Sequence, residues 1–467
     1  MENRTTRFVY DRSPVFLQHL YASAFGLQKR LTRYGHTFRR HRAFFEDSAR
    51  WSMGDLQGFQ DEKVRHTVST AYQTVPYYRR TMGALGLHPR DISGVKDLTK
   101  LPLLSKANVR AAGAELLSEV IPRREMLRST TSGSTGFPMT VYRTRETEER
   151  EYGFLWARRR PGLHRGESYG SFTGLQLVSS ATLRPPFWRH NFAANQTCYS
   201  IFHLTPDTIP LYLAEMARRR HTYLQGYPSV VAILAKYILD RGLDWIHPPR
   251  FVFSEAEELL DVHRRWIEEG FKTRVYNTYS VDEKCGAMTE YECGHLHYDM
   301  DYGVIEYLPR GRDERGTTAE LVCTAFDNPA FPLIRYRIGD LVLLPDAPIS
   351  CPAHAGPIVL AVSGRTGHAL VTRDGRQIQN ISVIVKRCRN VEMVQAIQET
   401  RGIVEVRVLR SPGYTREDEE NLLFQFQQKI GDVDFKVVYV SNPDEMERTD
   451  RGKFLSIVSK LRDRGAK

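Results

Sequence analysis

Long apolar runs are missing from this 467-residue chain. No stretch nears the roughly 18 consecutive apolar residues of a membrane span, and the opening MENRTTRFVYDR has no apolar core of the secretory-leader kind. A cytoplasmic protein is the expectation. Cysteine is scarce as well: six residues (Cys198, Cys285, Cys293, Cys323, Cys351, Cys388) in so long a chain exclude a disulfide framework and leave thiols or metal ligands. Internal repeats and low-complexity segments are absent, which excludes a fibre or a disordered tail. Compact Lys/Arg runs with interleaved aromatics are absent too, so no nucleic-acid partner is expected.

What is present is ordinary globular material, 41% hydrophobic and 26% charged, enough for about three domain-sized units. The net charge is +11, and residues 1 to 65 carry 12 Lys/Arg against 7 Asp/Glu. This excess reads as a solvated basic face, although a peripheral contact with an anionic membrane is compatible with it. Residues 1–120 form a helical collar: 14–34, 41–50 and 55–81 carry apolar residues at three and four spacing, the last broken at Val75-Pro76, and Ser105 is set to cap a short helix. From Glu125 short strand-like runs alternate with helical segments at 209–220, 229–241 and 259–269, the pattern of an α/β sheet between helices. Residues 303–345 are richer in strands and suggest a small β subdomain. After Gly364-Arg365-Thr366-Gly367 an α+β unit of about 100 residues follows, with a hinge placed near Gly367 because glycines let the backbone turn at low cost.

The sharpest local feature is Ser129-Thr130-Thr131-Ser132-Gly133-Ser134-Thr135-Gly136-Phe137-Pro138. Its hydroxyls, backbone N–H groups and glycines suit a polyphosphate, yet it is not a Walker loop, which needs G-x-x-x-x-G-K-[ST]. The loop resembles the phosphate-binding signature of the adenylate-forming acyl ligases, [ST]-S-G-[ST]-T-G-x-P. Further resemblances follow in order: Tyr279-Ser280-Val281-Asp282-Glu283 to Y-G-x-[ST]-E, Tyr336-Arg337-Ile338-Gly339-Asp340 to Y-R-x-G-D, Gly364-Arg365 to the hinge-proximal G-R, and Thr449 to Lys453 to T-x-x-G-K. Val75 to Arg79, Leu101 to Lys106, Gln225 to Ser229 and Glu292-Cys293 are similar to segments of the phenylacetate-CoA ligase and CapK-like branch, so the resemblance spans nearly the whole chain.

That resemblance implies an α/β fold with a large N-terminal adenylation domain, 1–363, and a smaller mobile α+β domain, 364–467, that rotates between two half-reactions. It implies ATP and Mg²⁺ as cofactors, and an enzyme that turns a small carboxylic acid into an acyl-adenylate before passing the acyl group to an acceptor: CoA foremost, otherwise an amine or a sugar hydroxyl. By the same resemblance Ser132, Gly133, Ser134, Thr135 and Gly136 cradle phosphate, Asp340 binds ribose, and Glu283 serves catalysis through Mg²⁺. Glu257 and Tyr279 line the nucleotide, Arg365 touches it or supports the hinge, and Lys453 is the catalytic lysine. The acid pocket is expected at Tyr227, Pro228 and Tyr276, whose rings favour an aryl or arylacetic acid.

Departures from the pattern are Met139 where many relatives carry lysine, Ser280 and Asp282 in the Y-G-x-[ST]-E element, and Gly367-His368 in place of an acidic pair. Separately, Cys293, His297, Cys351 and His354 offer the ligand types of a closed Cys₂His₂ zinc site, against the plainer reading of surface histidines and buried thiols. A second function class, a non-catalytic basic binding protein that keeps the ligase fold, is set against the retention of Lys453, Glu283 and Asp340. The identity of the acid and the oligomeric state are left open, a dimer being compatible.

Overall fold

A computed structural model describes residues 4–130, 139–158, 162–175, 177–179, 182–314, 316–365, 370–373, 377–378, 381, 388, 390–430, 433–449, 452 and 454–461. The first 120 residues are helical as expected: α1 Arg4–Arg12, α2 Val15–Arg33, α3 Phe38–Ser48, α4 Met53–Thr74, α5 Pro76–Ala84 and α6 Lys106–Ala112. Their ends follow local chemistry. The hydroxyl of Ser52 accepts from Asp55 N and the Asp55 carboxylate accepts from Ser52 N, closing a capping box on α4. Val75 is extended ahead of a proline at the first turn of α5, so the helix predicted across 55–81 divides there. Ser105 caps α6 through a second box with Asn108.

A hairpin of β1 Leu127–Thr130 and β2 Thr140–Arg143 leads into α7 Arg145–Arg158. Helix α7 crosses α3 so closely that a side-chain carbon at Gly153 would lie 2.8 Å from His41 Cβ and 2.9 Å from Arg42 N. Strands β3 Tyr169–Phe172, β4 Trp188–Asn191 and β5 Gln196–Tyr199 come next. They are followed by α8 Ile209–Arg219, β6 Tyr223–Gly226, α9 Pro228–Asp240, β7 Phe251–Ser254, α10 Asp261–Phe271, β8 Arg274–Ser280, β9 Ala287–Glu290 and β10 Leu296–Tyr298. After them run β11 Gly303–Asp313, β12 Gly316–Ala325, β13 Tyr336–Leu344, β14 Ile358–Val359 and β15 Ala361–Arg365.

Nine of these strands form one mixed sheet in the order β14-β10-β9-β8-β7-β6-β3-β5-β4. Its middle is parallel, from β5 through β3, β6 and β7 to β8, and its margins are antiparallel. Alternation along the strands loads both faces. Leu224, Val252 and Val275 pack with Met216, Val231 and Ile267 of α8, α9 and α10, while Tyr223, Phe253 and Tyr276 pack with Phe38 of α3 and Trp156 of α7. Strands β11, β12, β13 and β15 make the small antiparallel sheet expected at 303–345.

Beyond a short pair, β16 Leu370–Val371 with β17 Gln377–Ile378, the C-terminal part is a four-stranded sheet. It is built from β18 Val391–Thr400, β19 Ile403–Arg410, β20 Asp434–Val440 and β21 Ile457–Ser459, with α11 Arg416–Ile430 crossing between the parallel β19 and β20. Leu422, Phe426 and Ile430 of α11 close its own core against Val394, Ala396, Val404, Val406 and Val408. Met393, Leu409, Val440, Met446 and Phe454 join instead the apolar cluster of α8, α9 and α10. Among the described residues no helix is long and apolar enough to cross a membrane.

Candidate active site

The carboxyl ends of adjacent parallel strands gather the residues singled out in the sequence, which is where open α/β sheets hold ligands. Tyr227 and Pro228 follow β6, Glu257 lies three residues beyond β7, and Glu283 three beyond β8. The backbone there is tightly folded. Gly226 has φ +148° and an added side-chain carbon would sit 2.1 Å from Phe172 O, so only glycine lets β6 end this close to β3. Ala256 and Lys284, one residue from each carboxylate, take left-handed φ of +65° and +56°, the local strain found at binding sites.

Two tyrosines orient two carboxylates across the seam between the sheets. Tyr279 Oη, at the end of β8, donates to Asp340 Oδ2 of β13 at 2.8 Å. Tyr336 Oη, also on β13, donates to Glu283 Oε1 at 3.1 Å. Burial and the neighbouring Asp340 charge push the Tyr279 phenol well above its ordinary value, so it acts as a neutral donor. Met139, at the foot of the β1–β2 hairpin, lies 3.8 Å through its sulfur from Tyr336 Oη, and the Arg143 guanidinium reaches the Asp282 carbonyl at 3.5 Å. The base of the Ser/Thr/Gly loop therefore abuts Glu283. The loop's own residues, Ser132, Gly133, Ser134, Thr135 and Gly136, lie outside the described residues, as do Gly367 and Lys453. The backbone of Arg365 pairs with Asp340 across β13 and β15.

On the other side of the strand ends sits the C-terminal segment. Glu257 Oε1 accepts from Phe454 N at 2.5 Å and Oε2 from Ser229 N, at the start of α9, at 3.3 Å. Arg448 Nη1 donates to Ser229 Oγ at 2.7 Å and to Gly452 O at 3.1 Å, while Nη2 is buried without a hydrogen-bond partner among the described residues. Burial raises the Glu257 carboxyl and the Arg448 charge opposes that rise. Gln395, fully buried in β18, ties both ends of the segment: Nε2 donates to Glu447 O and Leu455 O, and Oε1 accepts from Glu447 N, each at 2.8 Å. His263 of α10 is buried beside Phe454, with no partner on either ring nitrogen among the described residues, and burial lowers it to about 3.

Arg448, Gln395, Ser229 and His263 were not singled out in the sequence. Arg448, just ahead of the T-x-x-G-K run, and Ser229, at the end of the Gln225 to Ser229 segment, carry a signal; a glutamine in a strand and a histidine on a helix carry none. Tyr276 is not brought beside Tyr227. Neighbours along β8 face opposite ways, so Tyr276 packs with Phe251 and Phe253 under the Arg274 guanidinium, on the α3 and α7 side. Of the zinc set, Cys293, His297 and Cys351 converge, but the fourth member is His295 rather than His354. The His354 ring stacks on Tyr291 with centroids 4.6 Å apart, and its Nδ1 meets the Ala49 carbonyl at 3.1 Å.

Residues 370–460 match the family model of the CapK C-terminal domain. Protein CapK of Staphylococcus aureus is 26% identical over 342 residues, covering 72% of this chain and 73% of that protein. A phenylacetate-coenzyme A ligase of Thermus thermophilus is 28% identical over 346 residues, covering 68% and 72%. Among solved structures, 2-hydroxyisobutyryl-CoA ligase in its postadenylation state matches with a TM-score of 0.65 at 16% identity, over 88% of this chain and 91% of that one. The same ligase in its thioesterification state matches at 0.54, over 89% and 91%. The chain is thus related in sequence to CapK and to phenylacetate-coenzyme A ligases, and it shares the fold of 2-hydroxyisobutyryl-CoA ligase.

Proposed function

We propose that the chain joins a carboxylic acid to the α-phosphate of ATP, releasing pyrophosphate, and then transfers the acyl group from the adenylate to the thiol of CoA. The observation that carries this reading is the docking of Arg448 and Phe454 onto Ser229 and Glu257, at the same strand ends that present Glu283 and, through Tyr279, Asp340. Carboxylate activation brings two anions together, so donors and cations must stand where charge develops on the α-phosphate. Arg448 offers one donor at that lip, and Lys453, between the docked Gly452 and Phe454, would bring the second cation.

The carboxylates divide by partner. Asp340, held by a neutral phenol, is an acceptor suited to ribose hydroxyls. Glu283 is the hard oxygen ligand that Mg²⁺ takes, and the bound ion would neutralise phosphate charge. The Ser132 to Gly136 loop, springing from the hairpin beside Glu283, would hold the phosphates. Tyr227 and Pro228 would shape the acid pocket, and the aryl or arylacetic class suits an aromatic wall. Residues 1–363 and 364–467 would be the two working halves, hinged near Gly367.

The test is acid-dependent pyrophosphate release over a panel of aryl, amino and fatty acids, with mass detection of acyl-AMP and of products formed with CoA, amines or saccharides. Release with one acid class and conversion of CoA to an acyl-CoA is the expected result. Adenylate that persists with CoA but is discharged by an amine or a hydroxyl replaces the acceptor, and no acid-dependent release removes the reading altogether.

A further inference from the structure

At the margin of the nine-stranded sheet, away from the strand ends just described, Cys293, His295, His297 and Cys351 bring one ligand atom each to within 4.8 Å of one another. The chain reaches this arrangement by local means. Gly294, at φ +79°, turns the β9–β10 connection back on itself, with Gly294 N donating to Tyr291 O at 2.9 Å and Tyr291 N to His295 O at 3.2 Å. Cys293 then stands at the tip. His295 and His297 are two apart and share a face, whereas Leu296 between them enters the core. Cys351 arrives from the connection before β14, which pairs with β10 through His297↔Ile358.

One ligand is already oriented. A carbonyl only accepts, so the 2.7 Å contact between His297 Nδ1 and Gly356 O fixes the ring proton on Nδ1. Nε2 is left with its lone pair, 3.4 Å from Cys293 Sγ. Tetrahedral zinc, with bonds of about 2.3 Å to sulfur and about 2.0 Å to nitrogen, sets those two atoms about 3.5 Å apart. The Gly356 carbonyl reaches the ring because its residue has no side chain: an added carbon would lie 2.2 Å from Tyr298 O. A backbone carbonyl behind a metal-binding imidazole is the usual supporting partner.

The geometry points to a structural Zn²⁺ held by Cys293, His295, His297 and Cys351, stapling the β9–β10 hairpin to the connection between β13 and β14. Four protein ligands close the coordination sphere, so the ion holds structure and leaves no position for substrate. Binding releases the thiol protons of both cysteines to solvent and leaves oxidation states unchanged. The hairpin follows directly on the turn that carries Glu283, so the staple steadies the sheet margin from which that turn hangs.

The test is metal content of the full chain, purified with thiols reduced and supplied with Zn²⁺, which does not depend on the acyl chemistry. About one zinc per chain is expected, released by a mercurial thiol reagent, absent from Cys293→Ser and Cys351→Ser, and retained by His354→Ala. Should the cysteine variants fold poorly, Co²⁺ in the native chain is the second measurement: thiolate-to-cobalt charge transfer with intense tetrahedral visible bands is expected. No zinc under these conditions, a pale octahedral cobalt spectrum, zinc lost from His354→Ala, or a Cys293–Cys351 disulfide in the thiol count would each overturn the assignment.

Discussion

Arg448 links the two halves, and replacing it by methionine tests whether that link serves the chemistry. The change keeps an unbranched apolar stem and removes the donors to Ser229 Oγ at 2.7 Å and Gly452 O at 3.1 Å. Charge-assisted hydrogen bonds contribute about 1.5–3 kcal/mol each when buried, and Arg448 is only partly so, which brings the pair to about 2 kcal/mol after screening. At about 1.4 kcal/mol per decade, the ratio of docked to undocked segment falls about 30-fold. Adenylation, followed as acid-dependent pyrophosphate release, should slow by up to that factor. Under the proposed two-step reading, transfer from chemically prepared acyl-AMP to the acceptor should change little. Ser229→Ala removes the same bond from the other side, so the double variant should lose much less than the sum of the two single changes. An equal loss in both half-reactions, or full additivity with Ser229→Ala, would refute the link between docking and adenylation; a thermal melt checks that the fold persists.

Lys453→Ala should lower adenylation by roughly 10² to 10³-fold, the scale of one charge-stabilising donor, and a wild-type rate of pyrophosphate release would remove that role. Gln395→Leu deletes three hydrogen bonds to the segment ends, so adenylation should drop about tenfold or more with ATP binding retained; an unchanged rate would make Gln395 merely a core residue. Tyr279→Phe leaves Asp340 without its phenol donor, and the KM for ATP should rise about tenfold with little change in kcat, which steady-state kinetics at saturating acid reports. His263 is lowered to about 3 in the fold from about 6.5 when unfolded. The unfolded chain therefore takes up the proton first, and the contribution of this ring to stability is complete above about 6.5 and lost as pH falls toward 3. Between pH 7 and 5 that amounts to about 2 kcal/mol, so His263→Leu should show a correspondingly smaller loss of melting temperature over that interval; parallel profiles would contradict it.

How much could be read beforehand varied with where the signal lay. The Val75-Pro76 break and the Ser105 cap were legible because proline and a capping hydroxyl act within one turn. Strands β6, β7 and β8 were legible as apolar runs because both their faces are covered. Strands β3, β4 and β5, with the sequences YGSF, WRHN and QTCY, carry no such pattern in four residues each, and they are strands because neighbours offer them hydrogen bonds. Strand β18 was hidden by Glu392, Gln395 and Gln398, all buried: polar residues inside a strand look like a surface until their partners are known. The phosphate loop, Asp340, Glu283 and Tyr336 could be named from motifs, whereas the place of Tyr336 behind Glu283 and of Gln395 behind the C-terminal segment is fixed by contacts over 53, 52 and 60 positions of chain. His295 was passed over for His354 because spacing favours neither, and only the course of β10 decides which ring turns toward Cys293.

The contacts between the halves also bear on how a chain with two half-reactions would let go. The C-terminal unit has its own core around Phe426 and Leu422, which a unit that moved between the two proposed half-reactions would need. What it shares with α8, α9 and α10 is a few side chains, Met393, Leu409, Val440, Met446 and Phe454, with polar ties at Arg448 to Ser229 and Lys236 to Glu392 at 3.3 Å. A wholly apolar contact would hold the first arrangement too firmly, and a wholly charged one would be screened by salt. Glu257 sits at the balance point. Burial under the docked segment disfavours its charge, while Arg448 and two backbone N–H donors favour it. Its pKa is raised overall, so its contribution to docking is complete below the ordinary carboxyl value and lost as pH rises through the raised one. The Phe454 N–H donor and the nearby Arg448 charge both belong to the C-terminal segment, so in the proposed undocking the Glu257 carboxyl would lose both at once.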